Sequence, residues 1–366
     1  MFASKPPFNF FLSPFLDVNK KRSSYGESLY ELDGLRGLAV LIVVASHTAA
    51  FRMYGQGSLG VLLFFFLSGF VLTLPFVNIS WHELNLHSFM HYGKNRILRI
   101  VPIYWICVLF IAYILGENES WIFYNFTFMK GWNHLWSVAQ EVRFYLLFPL
   151  IIIILSLLNK IEFKIILIII ISYLFYHYRS YHTVDLMDGR KVFFYFWMFL
   201  GGSLACHLSK LHFLKHFFKK PLPIAFLNFL SLLIFLFIFF SSTDMIKYFW
   251  NPLFPQIDQN TVLNGWRIPH IWYFLFLLLL FSITITRFNL IGMILRSYLL
   301  RHIGLLSYSI YLFHMPLIMK TRHLKLSPET DFFFILFLSY IIAFFSYIFI
   351  EKPFLSLKNK SFFTIN

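Results

Sequence analysis

The sequence predicts an all-α integral membrane protein of about ten transmembrane helices, with N- and C-termini cytoplasmic and no separate soluble domain. Two observations carry this. Of 366 residues, 59% are hydrophobic and 13% charged, against about 25% charged in an ordinary soluble domain, and mean hydropathy is +0.70. The apolar residues also fall in runs about 20 long, the length an α-helix needs to cross the hydrocarbon core.

Ten candidate spans follow in order, at about 35–52, 58–77, 97–115, 136–157, 163–178, 192–208, 222–241, 269–286, 302–320 and 331–351. Before the first, Phe8 to Leu16 is apolar but broken by Pro14, and no small-residue cleavage site follows. The expectation is therefore an interfacial N-terminal segment rather than a signal peptide. Lys20-Lys21-Arg22 then anchors the cytoplasmic side. Lys94, Arg96 and Arg99 flank the third span, Lys160 and Lys164 lie between the fourth and fifth, and Lys210, Lys215, Lys219 and Lys220 follow the sixth. Arg287, Arg296 and Arg301 precede the ninth. With the N-terminus inside, 20 of the 31 Lys and Arg fall inside, as the positive-inside rule requires. Lys320, Arg322 and Lys325 dissent. The expected organisation is a segment 1–34, a membrane domain 35–351 and a basic tail 352–366. The loop 242–268 is too short to fold alone.

The net charge of +15 reads as basic cytoplasmic loops, so no nucleic acid partner is expected. Cys107 and Cys206 both sit in apolar runs, so neither a disulfide framework nor a metal site is expected. Any chemistry must use residues at or within the membrane.

Arg36 and His47 lie on one apolar stretch, LRGLAVLIVVASHTAAF, eleven residues apart. On a helix they share a face with a rise of roughly 16 Å, and ionisable groups in such a place are functional candidates. Arg96 and Arg99 in NRILRIVPIYW are helical neighbours whose mutual repulsion an anion such as a pyrophosphate would relieve. Glu141, in WSVAQEVRFY, falls about a turn into the fourth span, at a depth similar to His47, where a carboxylate could orient a histidine. Ser68 lies near mid-bilayer beside Gly69, where small residues favour close helix packing; a nucleophilic serine there finds no base nearby in sequence. Tyr308 and His314, in SYSIYLFH, place a hydroxyl and a second outer-half histidine on the ninth span.

Together, ELDGLRGLAVLIVVASHT, GVLLFFFLSGFVL, RILRIVPIYW, WSVAQEVRFYLLFP, SYSIYLFH and EKPF resemble the membrane acyltransferase-3 family, in its order and over nearly the whole chain. The resemblance implies an O-acyltransferase of the inner (plasma) membrane. It would move an acyl group, usually acetyl, from cytoplasmic acyl-CoA to a hydroxyl of an extracytoplasmic glycan such as lipopolysaccharide O-antigen or exopolysaccharide. It implies acetyl-CoA as donor, no metal, and Arg36, Arg96 and Arg99 as donor-binding residues. His47 would act as general base or acyl carrier with Glu141 as its orienting acid; Ser68, Tyr308 and His314 are candidate acceptor or oxyanion contacts read from the residues rather than from the resemblance. Some family members carry an extra extracytoplasmic domain. Without one, transfer is expected to run directly to the acceptor or through a glycan-assembly partner protein. A transporter using Arg, His and Glu as a relay, and a non-catalytic partner in glycan export, are the other classes the residues allow.

Overall fold

The computed structural model describes residues 12–18, 30–52, 57–180, 195–218, 220–240, 275–279 and 290–359. Among these, every regular element is helical. We number the α-helices in chain order: α1 (Ser13–Asp17), α2 (Tyr30–His47), α3 (Gly57–Thr73), α4 (Leu86–Leu115), α5 (Glu119–Phe126), α6 (Trp136–Ser156) and α7 (Ile161–Ser180). Then come α8 (Phe196–Leu208), α9 (His212–Phe217), α10 (Pro221–Phe240), α11 (Leu290–Leu295), α12 (Tyr298–Thr321), α13 (Pro328–Ser346) and α14 (Lys352–Ser356). Nine of the ten predicted segments coincide with helices; the eighth, 269–286, lies almost wholly outside the described residues. Among the described residues, four helical stretches are long and apolar enough to cross a membrane, and three shorter apolar helices accompany them.

Local chemistry sets the ends. Asn85 caps α4 by accepting from the Ser88 N–H at 2.8 Å, and Gly116 ends it in the left-handed region at φ +67°, a conformation open to glycine without strain. Ser327 caps α13 with Pro328 at its first position. The α13 helix widens into a π turn at Tyr347–Glu351, which turns the Glu351 carboxylate to accept from Ser309 Oγ at 2.6 Å.

Two packing centres hold the bundle. The α2 helix packs on α12 and α3, and α3 also packs on α8. Gly37 and Gly304 face each other across the α2–α12 crossing, where a Cβ on Gly304 would run into the Asp33 carbonyl. Gly69 and Gly202 do the same between α3 and α8. These contacts bring backbones together as small residues do in membrane bundles. At this same N-terminal end of α12, α1 is tied down by Lys352 Nζ–Asp17 at 2.9 Å, Tyr347 OH donating to Asp17 at 3.1 Å, and Phe15 stacked on His302.

Prolines inside helices create a second kind of joint. Pro149 lacks the N–H that would serve the Tyr145 carbonyl, and Tyr92 OH donates there instead, from α4, at 3.1 Å. Pro316 likewise frees the Leu312 carbonyl of α12. His134 Nε2 at 2.8 Å and Cys107 Sγ at 3.3 Å both donate to it.

Candidate active site

A cavity opens between α2, α3, α4, α6 and α12. Its lining includes Arg36, Ser68, Arg96, Arg99, Glu141 and Tyr308, six of the eight residues singled out from sequence. Three guanidinium groups thus face one carboxylate, so the cavity is receptive to anions. Arg36, on α2, lies 3.5 Å from Asp33 one turn back. Arg96 and Arg99, on adjacent turns of α4, make no ion pair among the described residues. Arg96 instead rests against the rings of Tyr92 and Tyr145, at 6.0 and 5.7 Å. Its Nε is buried without a partner.

Glu141 does not meet His47. The α6 helix starts at Trp136, so Glu141 lies more than a turn inside it, whereas His47 is the last residue of α2. The Glu141 carboxylate accepts from Ser68 Oγ at 2.5 Å and from Tyr145 OH. Ser68 therefore has a carboxylate beside it that sequence proximity did not reveal. Arg143, two residues on, turns away to the Phe128 and Met129 carbonyls at 3.0 and 2.9 Å. Tyr308 OH donates to the Ile100 carbonyl at 3.2 Å.

His47 and His314 are outside the cavity lining and bonded to each other, His47 Nδ1 to His314 Nε2, at 3.0 Å. Their rings are 5.1 Å apart, centre to centre. His47 is exposed at its helix end, while His314 is fully buried. Between the pair and the cavity stands Tyr311, which lines the cavity and has its ring 5.5 Å from His314. Its hydroxyl donates to the His134 carbonyl at 2.7 Å and accepts from Ser137 Oγ at 2.7 Å.

His134 is the residue the sequence reading missed. Its ring lies 5.2 Å from His314. The available signal was Pro316: an in-helix proline exposes a carbonyl, and a histidine just ahead of a span is a ready donor. Among the described residues no group of His, Cys, Asp or Glu has the arrangement to hold a metal ion.

The fold and site together define a helical membrane protein with an anion-receptive cavity and a hydrogen-bonded histidine pair near one end of it. The acyltransferase domain family model matches residues 29–350, and the chain belongs to the acyltransferase-3 family. It is 31% identical over 147 residues to the O-acetyltransferase OatA of Staphylococcus aureus, covering 33% of this chain and 24% of that protein. It is 26% identical over 145 residues to the peptidoglycan O-acetyltransferase OatA of Listeria monocytogenes, covering 32% and 23%. The match thus spans about a quarter of the length of these relatives. No solved structure matches the chain.

Proposed function

We propose that this protein is a multi-pass plasma-membrane O-acyltransferase that moves an acyl group, acetyl by the names of its relatives, from acyl-CoA to a hydroxyl of an extracytoplasmic glycan. The observation that carries the proposal is the convergence of Arg36, Arg96 and Arg99 on one cavity that ends a turn short of a histidine pair. The arginines hold the donor's phosphates, and the partnerless Arg96 Nε is the atom most in need of an anion. Donor on the basic side and acceptor on the other follow from the Lys and Arg distribution.

In this reading His47 is the general base. The acceptor hydroxyl passes its proton to His47 as its oxygen attacks the thioester carbonyl, the carbon–sulfur bond breaks, and the thiolate leaves protonated. Tyr311 stands on the path from cavity to histidines, so the donor's acyl end must pass it. Glu141 acts on the donor side, holding Ser68 and Tyr145. The glycan class stays broad: O-antigen and exopolysaccharide fit, and the name of the Listeria relative adds peptidoglycan.

The test uses the full chain in lipid nanodiscs, acetyl-CoA labelled in the acetyl group, and isolated peptidoglycan, O-antigen and exopolysaccharide fractions as acceptors. Base-labile label on one fraction, lost with His47→Ala, is the expected result. No ester on any fraction, with the wild-type chain folded and binding acetyl-CoA, would overturn the proposal.

A further inference from the structure

The hydrogen bonds around His314 fix where the protons sit. A carbonyl only accepts, so His314 Nδ1 is the donor in its 2.6 Å bond to the Tyr311 carbonyl. A neutral His314 then has a bare Nε2, and that atom faces His47 Nδ1 at 3.0 Å. His47 Nδ1 must therefore carry the proton, which leaves His47 Nε2 as a lone pair.

The surroundings reinforce this assignment. Among the described residues no Lys, Arg, Asp or Glu side chain bonds either ring. The titratable groups that face the pair are His134 from the turn just before α6 and Tyr311 from α12 itself. Cys107 of α4 reaches the same region through the Leu312 carbonyl. His134 spends its Nε2 proton on that carbonyl, and its Nδ1 is buried without a partner, so neutral His134 has no proton to offer His314.

We infer that His314 is the positioning residue for the acyl transfer: it holds His47 in the tautomer whose Nε2 is basic and shares the charge when that atom is protonated. The inference rests on the transfer reaction proposed above. As the hydroxyl proton arrives at His47 Nε2, the Nδ1 proton shifts toward His314 Nε2, and the Tyr311 carbonyl stabilises the second imidazolium. When the thioester's carbon–sulfur bond breaks, both shifts reverse and the thiolate leaves as a thiol. The two rings then work as one base, deeper and better shielded than His47 alone.

Two substitutions separate the roles. His314→Leu removes both. His314→Gln keeps both hydrogen bonds, its amide oxygen accepting from His47 and its NH2 donating to Tyr311, but it takes no proton. The readouts are the His47 tautomer, by nitrogen NMR on 15N-histidine-labelled full chain in nanodiscs, and the pH–rate profile of label transfer from acetyl-CoA. For His314→Leu the expected result is loss of the Nδ1–H tautomer and a rate lower by about 100-fold. For His314→Gln the tautomer persists, about tenfold of that loss is recovered, and the acid limb of the profile moves to lower pH because the base stands alone. A Leu variant with the wild-type tautomer and acid limb would overturn the inference. A wild-type chain that folds, binds acetyl-CoA and transfers nothing would overturn the reaction itself, whatever tautomer is found.

Discussion

The arginine cavity and the histidine pair draw on the same two helices, α2 and α12, yet they hold ionisable groups among apolar helices by opposite means. The cavity gathers three guanidinium groups with one carboxylate and rests Arg96 on aromatic rings rather than on an acid. The histidine pair has no charged partner among the described residues and is held by a carbonyl and by its own two rings. The difference teaches what each region awaits. A cavity of excess positive charge is completed by an anionic ligand, whereas a base must stay neutral until the moment it accepts a proton.

The largest effect that would break this comparison is at His47. His47→Ala should lower transfer by about 100-fold to 10,000-fold while leaving acetyl-CoA affinity unchanged, as measured by titration calorimetry. A change in donor affinity of similar size would merge the two regions into one. Next comes the pair Arg96→Ala with Arg99→Ala. It should raise KM for acetyl-CoA by about tenfold to 100-fold, the loss expected for charge-assisted hydrogen bonds. It should leave transfer from a donor truncated to S-acetylpantetheine nearly untouched. Equal losses with both donors would mean that the arginines do not read phosphate.

Gly304→Ala tests what the regions share. A methyl there meets the Asp33 carbonyl, so the α2–α12 crossing must widen at a cost of about 1–3 kcal/mol. The expected outcome is a lower thermal midpoint with donor binding and transfer weakened together. The smallest effect is expected for Glu141→Gln. The amide oxygen still accepts from Ser68 and Tyr145, and one negative charge leaves a basic cavity. Donor binding should tighten by about threefold or less, a surface-pair-sized change, and the acid limb of the pH–rate profile should stay put. A shifted limb would mean that Glu141 acts on the histidines after all.

Much of the scaffold was legible because apolar length is a direct signal. Trp136–Ser156 matches the segment read at 136–157 almost residue for residue. The start of α4 was not legible. Leu86 to Arg96 is polar enough to read as a loop, and the helix runs through it because Asn85 caps it and Tyr92 packs inward. The pairing of Arg96 with Arg99 was readable from their spacing, and the family resemblance joined Arg36 to them. The partners of Glu141 and His314 were not, because equal depth in a bilayer says nothing about which neighbours face each other. Spacing put Glu141 near His47 in height, and helix packing turned it toward Ser68 instead.

The carbonyl that Pro316 leaves open bears on how the protein is made. The groups that satisfy it, Cys107 and His134, lie 205 and 178 residues earlier in the chain. A ribosome feeding the spans into a membrane in order therefore finishes both donors long before α12 emerges. That late helix enters lipid with a polar atom that costs several kcal/mol to leave bare, and an address for it already exists in the earlier helices. The open carbonyl thus serves assembly as a docking key, and the candidate site is closed by the helix that arrives among the last.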